Sequence, residues 1–97
     1  MIQSFKNQAT RDVFDRMASK RAAKVCPPDL WSVARRKLDQ LNQADSIQDL
    51  RVPPRNRLEA LKGDRKGQHS IRINDQFRVC FRWTSAGPED VEIVDYH

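Results

Sequence analysis

The sequence predicts an α+β domain in which helices from the first half of the chain cover one face of a mixed, mostly antiparallel sheet built from the second half. Two observations support this prediction. Up to residue 50, apolar residues recur at three- and four-residue steps, which is the spacing of a helix face. After Pro53-Pro54 they form short β-favouring runs between turn residues. Such segments pack as two layers, and 97 residues suffice for a single domain spanning residues 1–97.

The N-terminal residues predict a short strand and then a helix. Residues 2–5 alternate between apolar and polar side chains, as a strand does. Thr10 is a candidate N-cap, because the apolar residues that follow it share one helix face: Val13, Phe14, Met17 and Ala18. Residues 20–24 either extend this helix or form a basic loop, and Pro27-Pro28 ends any helix before it.

A second helix is predicted after the proline pair, with Asp29 as its N-cap. The stripe at helical spacing that predicts it consists of Leu30, Val33, Ala34, Lys37, Leu38 and Leu41. The opposite face carries Arg35, Arg36, Asp39 and Gln40, for which a solvated surface is favoured over an RNA-facing one. Ser46 caps a further turn through Leu50. Residues 51–57 are predicted to be a basic loop, because paired prolines remove backbone donors.

The C-terminal half predicts four β-favouring runs, at residues 58–61, 70–73, 77–83 and 91–96, with Gly87-Pro88 as a break before the last. In the third run, apolar Phe77, Val79, Phe81 and Trp83 alternate with Arg78, Cys80 and Arg82. We therefore expect one face of the strand to pack on the helices and the other, cationic face to be free for binding.

Composition favours a polyanionic partner. The net charge is +5 and the pI about 9.7, and a basic surface concentrates phosphates and steers their approach. Residues 51–66 hold six cations and two acids, a local charge of +4. Two histidines and two cysteines at unrelated spacings indicate no metal site, and Gly63/Gly67 lacks the lysine of a phosphate loop, so we expect no cofactor.

The sequence indicates a cytoplasmic protein without a membrane segment. The opening residues lack the apolar stretch of a secretory signal, and no run approaches the roughly 20 apolar residues of a membrane-spanning helix. Cys26 and Cys80 are therefore expected to be reduced thiols.

The remaining reactive groups suit RNA cleavage without a metal. Cations near the strand ends would stabilise negative charge on a phosphate, while nearby carboxylates and the C-terminal Asp95-Tyr96-His97 offer proton acceptors and donors. In such a reaction the ribose 2′-hydroxyl attacks the adjacent phosphate and the 5′-oxygen departs. The cations are Lys62, Arg65, Lys66, Arg72, Arg78 and Arg82, and the carboxylate considered with them is Glu59.

Three segments resemble HigB-type toxins of the RelE/ParE superfamily. They are the opening MIQSF, the central LEALKGDRKGQHSIRINDQFRVCF of residues 58–81 and the ending VEIVDYH of residues 91–97. The resemblance implies a RelE-like fold and a ribosome-dependent endoribonuclease that cleaves translated messenger RNA and inhibits translation. It also implies a cognate antitoxin, usually a helix-turn-helix protein of the HigA type, through which alone the chain would reach operator DNA.

The resemblance also assigns site residues. Lys62 and Arg78 are similar to the family's phosphate-stabilising cations, and Asp95, Tyr96 and His97 to its C-terminal catalytic cluster. Glu59 stands where related toxins often carry histidine, so the general base is either this carboxylate or another group. The RNA-binding candidates are Arg55, Arg57, Arg65, Lys66, Arg72 and Arg82. His69 has no matching role and is expected at the surface.

Purely structural roles are also possible for several of these residues. Arg78 could form a cross-strand ion pair, Tyr96 could anchor the last strand, and a terminal histidine is usually frayed. At the level of function, two alternatives stay open. One is a non-catalytic module that binds RNA or DNA through phosphate contacts, and the other is a degenerate toxin that acts mainly as an antitoxin's partner in operon regulation.

Overall fold

The computed structural model describes residues 1–96 as three helices followed by a four-stranded sheet, which confirms the predicted α+β class. The helices are α1 (Gln8–Phe14), α2 (Lys20–Val25) and α3 (Trp31–Gln43), and the strands are β1 (Glu59–Ala60), β2 (His69–Arg72), β3 (Phe77–Thr84) and β4 (Gly87–Asp95). None of the helices within residues 1–96 is long and apolar enough to span a membrane.

The strands form an antiparallel meander in the order β1-β2-β3-β4. The predicted strand at residues 2–5 is wrong as a strand: only Phe5 forms a bridge, a parallel one with Val91. The segment still lies along β4, where Gln3 N donates to Pro88 O and Lys6 N to Val91 O. This parallel contact makes the pairing mixed and covers part of the β4 edge.

The hydrophobic core lies between the helices and one sheet face. Phe77, Val79 and Phe81 of β3 point into it, as their alternation predicts, and Trp83 packs at its margin. The same spacing argument holds for α3, whose fully buried residues recur at helical steps: Ala34, Leu38 and Leu41. Burying a side chain the size of leucine or phenylalanine contributes about 1.5–3 kcal/mol, so these positions dominate the stability of the domain.

The helix boundaries differ from the predicted ones because other polar residues act as caps. Asn7 rather than Thr10 caps α1, with its side chain accepting from Thr10 N at 2.8 Å. Thr10 is buried instead, and its hydroxyl accepts from Ile93 N of β4. Residues 20–24 form neither an extension nor a loop, because Ser19 caps a separate helix, α2, which ends before the prolines as expected.

Asp29 is not the N-cap of the second predicted helix. It lies in a 3-10 turn, Pro28–Leu30, that runs directly into α3. The turn is held by Trp31, whose indole Nε1 donates to Cys26 O at 2.8 Å. A second 3-10 turn, Ile47–Arg51, follows Ser46 where a further turn is predicted, and the Asp49 carboxylate accepts from Ser46 N.

The predicted basic loop at residues 51–57 is fixed by one buried amide. Asn56 is fully buried, and its Nδ2 donates to Gln40 Oε1 at 3.0 Å and to Leu50 O at 3.1 Å. Its Oδ1 accepts from Lys37 Nζ. Because a buried polar group is costly unless it is hydrogen-bonded, these contacts hold the loop and its short 3-10 turn, Pro54–Asn56, against α3.

Two expectations about the sheet are wrong. Gly87-Pro88 begins β4 instead of breaking the chain before it, because Gly87 adopts φ 132° in close contact with Met1, whose carbonyl oxygen would lie 2.3 Å from any Cβ. The sheet face opposite the helices is also not freely exposed. Arg78 retains 8% exposure and Cys80 none, since residues from the C-terminal half fold over this face.

Asp12 links α1 to α2 through a buried carboxylate. It accepts from Gln8 Nε2 at 2.9 Å, Ser19 Oγ at 2.6 Å and Arg21 Nε at 2.9 Å. The hydrogen bonds from Gln8 and Ser19, then that from Arg21, lower the pKa of Asp12 to about 2. Hydrogen bonds to the charged form account for such a shift.

We expect Asp12 to govern acid unfolding. Its folded pKa is depressed below the unfolded value near 3.9, so its contribution is complete above about pH 4 and is lost as pH falls towards about 2. Asp12→Asn should therefore flatten the dependence of urea unfolding free energy on pH in this window. Asp64→Asn, at an exposed position, is the control; equal slopes for both variants and the parent would contradict the assignment.

Candidate active site

Arg78 is the centre of the candidate site, because it is a cation held inside the sheet by contacts to three other residues. Its Nε donates to Ser70 Oγ and its Nη2 to Arg57 O, both at 2.7 Å, and its Nη1 lies 3.5 Å from Glu59 Oε1. A buried guanidinium is tolerated only when it is paired in this way. The contacts fix its plane and leave the remaining N–H groups for a ligand.

Strand register builds the site around Arg78. Residues opposite each other on neighbouring strands share a sheet face, and the register aligns Glu59 with Ser70, Ser70 with Cys80, and Cys80 with Glu92. Arg78 belongs to the adjacent row on this same face. This row across the four strands therefore begins with the Glu59 carboxylate and ends with the Glu92 carboxylate, and the buried Arg78 lies beside it. We call this face, opposite the helices, the cationic face.

Tyr96 covers Arg78 just beyond the end of β4. The Arg78 Cζ lies 5.8 Å from the centre of the phenol ring, and the Tyr96 hydroxyl lies near the Cys80 thiol. Burial raises the pKa of Tyr96, and the Cys80 thiol adds to the rise. Burial also raises the pKa of Cys80. Both groups are therefore protonated at neutral pH, which leaves Tyr96 as a proton donor beside a fixed cation.

Arg65 closes the other side of this cluster. The short 3-10 turn Gly63–Arg65 places its Nη1 3.2 Å from Glu92 Oε1 and 3.2 Å from Gln68 Oε1. Arg65 is thus a half-buried, paired cation near Tyr96 and Cys80.

Two of the predicted catalytic residues, Asp95 and Lys62, are not brought into the cluster. Asp95 pairs with Phe77 and so belongs to the helix side of the sheet, where Gln76 Nε2 donates to its carboxylate at 3.0 Å. The Lys62 side chain is exposed and forms no hydrogen bond or ion pair with the other described residues. His97 lies outside the described residues.

The predicted RNA-binding residues occupy several regions. Arg72 is the cross-strand neighbour of Arg78 and pairs with Asp75, while Arg82 lies beyond a β-bulge, 3.9 Å from Glu89. Arg57 contributes its carbonyl to Arg78 and leaves its side chain exposed. The others are Arg55, on the fixed loop, Lys66, in the exposed turn after Arg65, and Arg65 itself.

Sequence reasoning misses Ser70, Cys80 and Glu92 as members of the site. Pairing the run at 91–96 with the run at 77–83 in antiparallel register would have placed Cys80 and Glu92 together. The expectation for His69 is wrong as well. His69 is half-buried and stacks on Phe81 with ring centres 6.3 Å apart. Among residues 1–96, no three His, Cys, Asp or Glu side chains gather as a metal site.

Comparison with known proteins agrees with this architecture. Residues 3–97 match the family described as the RelE-like toxin of the type II toxin-antitoxin system HigB. This chain belongs to the HigB-like toxin family. It is 43% identical over 60 residues to Toxin HigB-1 of Vibrio cholerae and 40% identical over 57 residues to an uncharacterized protein of Haemophilus influenzae.

The HigB-like chain matches only part of these relatives. The alignments cover 62% and 59% of this chain, and 63% and 56% of the Vibrio and Haemophilus proteins respectively. Its fold is similar to that in the YoeB-YefM complex from Staphylococcus aureus, with a TM-score of 0.59 over 100% of this chain and 95% of the other. At 18% identity this likeness establishes the RelE-like fold.

Titration of Tyr96 tests the cluster directly, since it is the one tyrosine of the sequence. We expect phenolate absorbance to rise with a midpoint above the ordinary value near 10. Cys80→Ala should lower this midpoint, because it removes a thiolate that opposes the phenolate, whereas Cys26→Ala, at the other buried thiol, should not. A midpoint at or below 10 in protein that circular dichroism finds folded would refute the geometry.

Proposed function

We propose that this chain is a toxin that acts as a ribosome-dependent endoribonuclease, cleaving translated messenger RNA and so inhibiting translation and growth. The observation that carries the proposal is a single fixed cation, Arg78, with a carboxylate on one side and a protonated phenol on the other. Attack of a 2′-hydroxyl on the adjacent phosphate needs these three groups: an acceptor, a charge stabiliser and a donor.

Arg78 stabilises the charge that develops on the phosphate. The Ser70 and Arg57 contacts hold its guanidinium before substrate arrives, so little reorganisation is needed when negative charge gathers on the phosphorane oxygens. Its planar fork suits two phosphate oxygens at once. Burial strengthens the interaction, because nearby water that would screen the charge is excluded.

Glu59 and Tyr96 carry the proton transfers. The Glu59 carboxylate, about half exposed beside Arg78, accepts the proton of the 2′-hydroxyl as the oxygen bonds to phosphorus. The bond from phosphorus to the 5′-oxygen breaks, and the Tyr96 hydroxyl donates its proton to that oxygen. The products are a 2′,3′-cyclic phosphate and a free 5′-hydroxyl. Water then returns the proton from Glu59 to Tyr96, so the enzyme is restored.

Other residues belong to the proposal through the family resemblance. Lys62, Asp95 and His97 are proposed as further catalytic groups. Arg57, Lys66 and Arg82 are proposed to hold RNA backbone through exposed cations. The ribosome would present one phosphate in line with the attacking hydroxyl. This positioning would assist a site whose proposed base is a carboxylate.

A cognate antitoxin is the proposed protein partner. The structural relative was solved as a complex of YoeB with YefM, and we propose that this chain likewise binds an antitoxin, of the helix-turn-helix HigA type. Contact with operator DNA would come only through that partner. We place the protein in the cytoplasm, where ribosomes and messenger RNA meet and where both buried cysteines remain thiols.

Arg78→Ala is expected to abolish growth arrest and to lower cleavage by about 10²–10³-fold, the usual effect of removing one charge-stabilising donor. The measurement is inducible expression with new messenger 5′ ends mapped inside coding regions, with and without antitoxin. Arg11→Ala, which removes an exposed arginine paired with Asp15 on α1 and has no part in the candidate site, should cut normally.

Thermal unfolding of both purified variants separates loss of function from loss of fold. A folded Arg78→Ala protein that still arrests growth would remove Arg78 from the mechanism. If the parent protein leaves growth and transcript ends unchanged, the endoribonuclease proposal fails and a binding or operon-regulating role is left.

Glu59→Gln tests the general base, because it keeps size and hydrogen bonding but cannot accept the proton. We expect single-turnover cleavage on programmed ribosomes to slow by about 10²–10⁴-fold. Glu89→Gln, which also faces an arginine, is the matched control and should cleave at the parent rate. Parent-rate cleavage by Glu59→Gln would assign the base to another group, such as His97.

A further inference from the structure

A second cationic feature lies beside the candidate site. A groove of about 700 Å³ runs between α3, the loop at residues 53–55 and the turn after β2. We call it the α3 groove. It is lined by Val33, Arg36, Lys37, Gln40, Pro53, Arg55, Arg72, Ile73 and Asn74. Four of these residues are cations and none is an acid, so the groove carries a concentrated positive charge.

The charges of the α3 groove are largely uncompensated. Across the described part of the chain, neither Arg36 nor Arg55 has a carboxylate within ion-pair distance. The acid nearest to them on α3, Asp39, is engaged on another side by Arg16, with Arg16 Nη2 2.7 Å from its Oδ2. Arg72 pairs with Asp75, which is itself almost fully exposed.

Hydrogen bonds hold the loop wall of the groove in a defined position against α3. The buried Asn56 amide holds the loop to α3 and accepts from Lys37 Nζ, so Arg55 is set opposite Arg36 by a fully hydrogen-bonded core residue. Lys37 uses one of its three donors on Asn56 and keeps two. Burial lowers the pKa of Lys37, and Arg36, Arg55 and Arg72 lower it further, as a shared positive field would.

The groove is continuous with the candidate active site. Arg72 lies at its edge and is the direct cross-strand partner of Arg78, so their side chains share the cationic face. In addition, the two surfaces depend on adjacent residues. The Arg57 carbonyl orients Arg78, and the side chain of Asn56, the residue before it, holds the loop that lines the groove.

We propose that the α3 groove binds backbone phosphates of the RNA strand held at Arg78, with Arg36 and Arg55 as the phosphate contacts on its two walls. The inference rests on the proposed function and extends it from the cleaved phosphate to its neighbours. An RNA strand carries one charge per nucleotide, so it matches a row of cations that starts at Arg78 and continues through Arg72 into the groove.

The test is equilibrium binding of a short single-stranded RNA with 2′-O-methyl groups, which cannot be cleaved. The Arg36→Gln, Arg55→Gln double variant is compared with Lys20→Gln, Lys24→Gln, which removes two exposed cations from α2. We expect the groove variant to bind about tenfold more weakly at low salt. Its slope of log affinity against log salt should fall by about 1.4, because each of the two phosphates that it no longer neutralises contributes about 0.7.

Each outcome bears on the groove separately from catalysis, because the probe reports binding alone. Equal affinities and slopes for the two double variants overturn the groove assignment even if the parent cleaves messenger RNA. Weaker RNA binding by the groove variant, together with a parent protein that never cleaves, supports the groove and rejects the endoribonuclease. Unchanged oligonucleotide binding with reduced ribosome or antitoxin binding assigns the groove to one of those partners and overturns the proposal.

Discussion

The need to compensate one buried cation organises the half of the molecule that faces away from the helices. Arg78 occupies β3 within the sheet, where an uncompensated charge would cost several kcal/mol. Its donors require a hydroxyl from β2, a carboxylate from the edge strand β1 and a carbonyl from the preceding loop. The loop supplies this carbonyl with Arg57 at φ 45°, a left-handed conformation that costs a non-glycine residue about 1–2 kcal/mol. The hydrogen bond from Arg78 to the Arg57 carbonyl thus offsets the backbone strain at Arg57.

The parts of the fold that depend on periodicity could be predicted from sequence. The α3 stripe and the alternation of Phe77, Val79 and Phe81 each specify a buried face without knowledge of any partner, and both predictions are confirmed. Boundaries depend on which of several polar residues finds a backbone donor, so Asn7 and Ser19 replace the caps expected from hydrophobic spacing alone. The resemblance supplied the RelE-like class, which spacing could not, and that class is confirmed.

The candidate site was harder to predict because proximity depends on strand register. The sequence marks Arg78, Glu59 and Tyr96 as reactive types, and the structure places these three together. Neighbours in sequence need not be neighbours in the site: Asp95 adjoins Tyr96 but lies on the opposite side of the sheet because successive strand residues alternate. Ser70, Cys80 and Glu92 carry no signal in isolation and become part of the site only through pairing.

Two adjacent residues in the loop before β1 serve two different surfaces. The Asn56 side chain fixes the α3 groove, while the Arg57 carbonyl orients the guanidinium of Arg78. Because the two residues share a peptide unit, we expect the two surfaces to be energetically linked. A ligand that stabilises this loop conformation at one surface also stabilises it at the other, and thermodynamic reciprocity requires the effect to be equal in both directions.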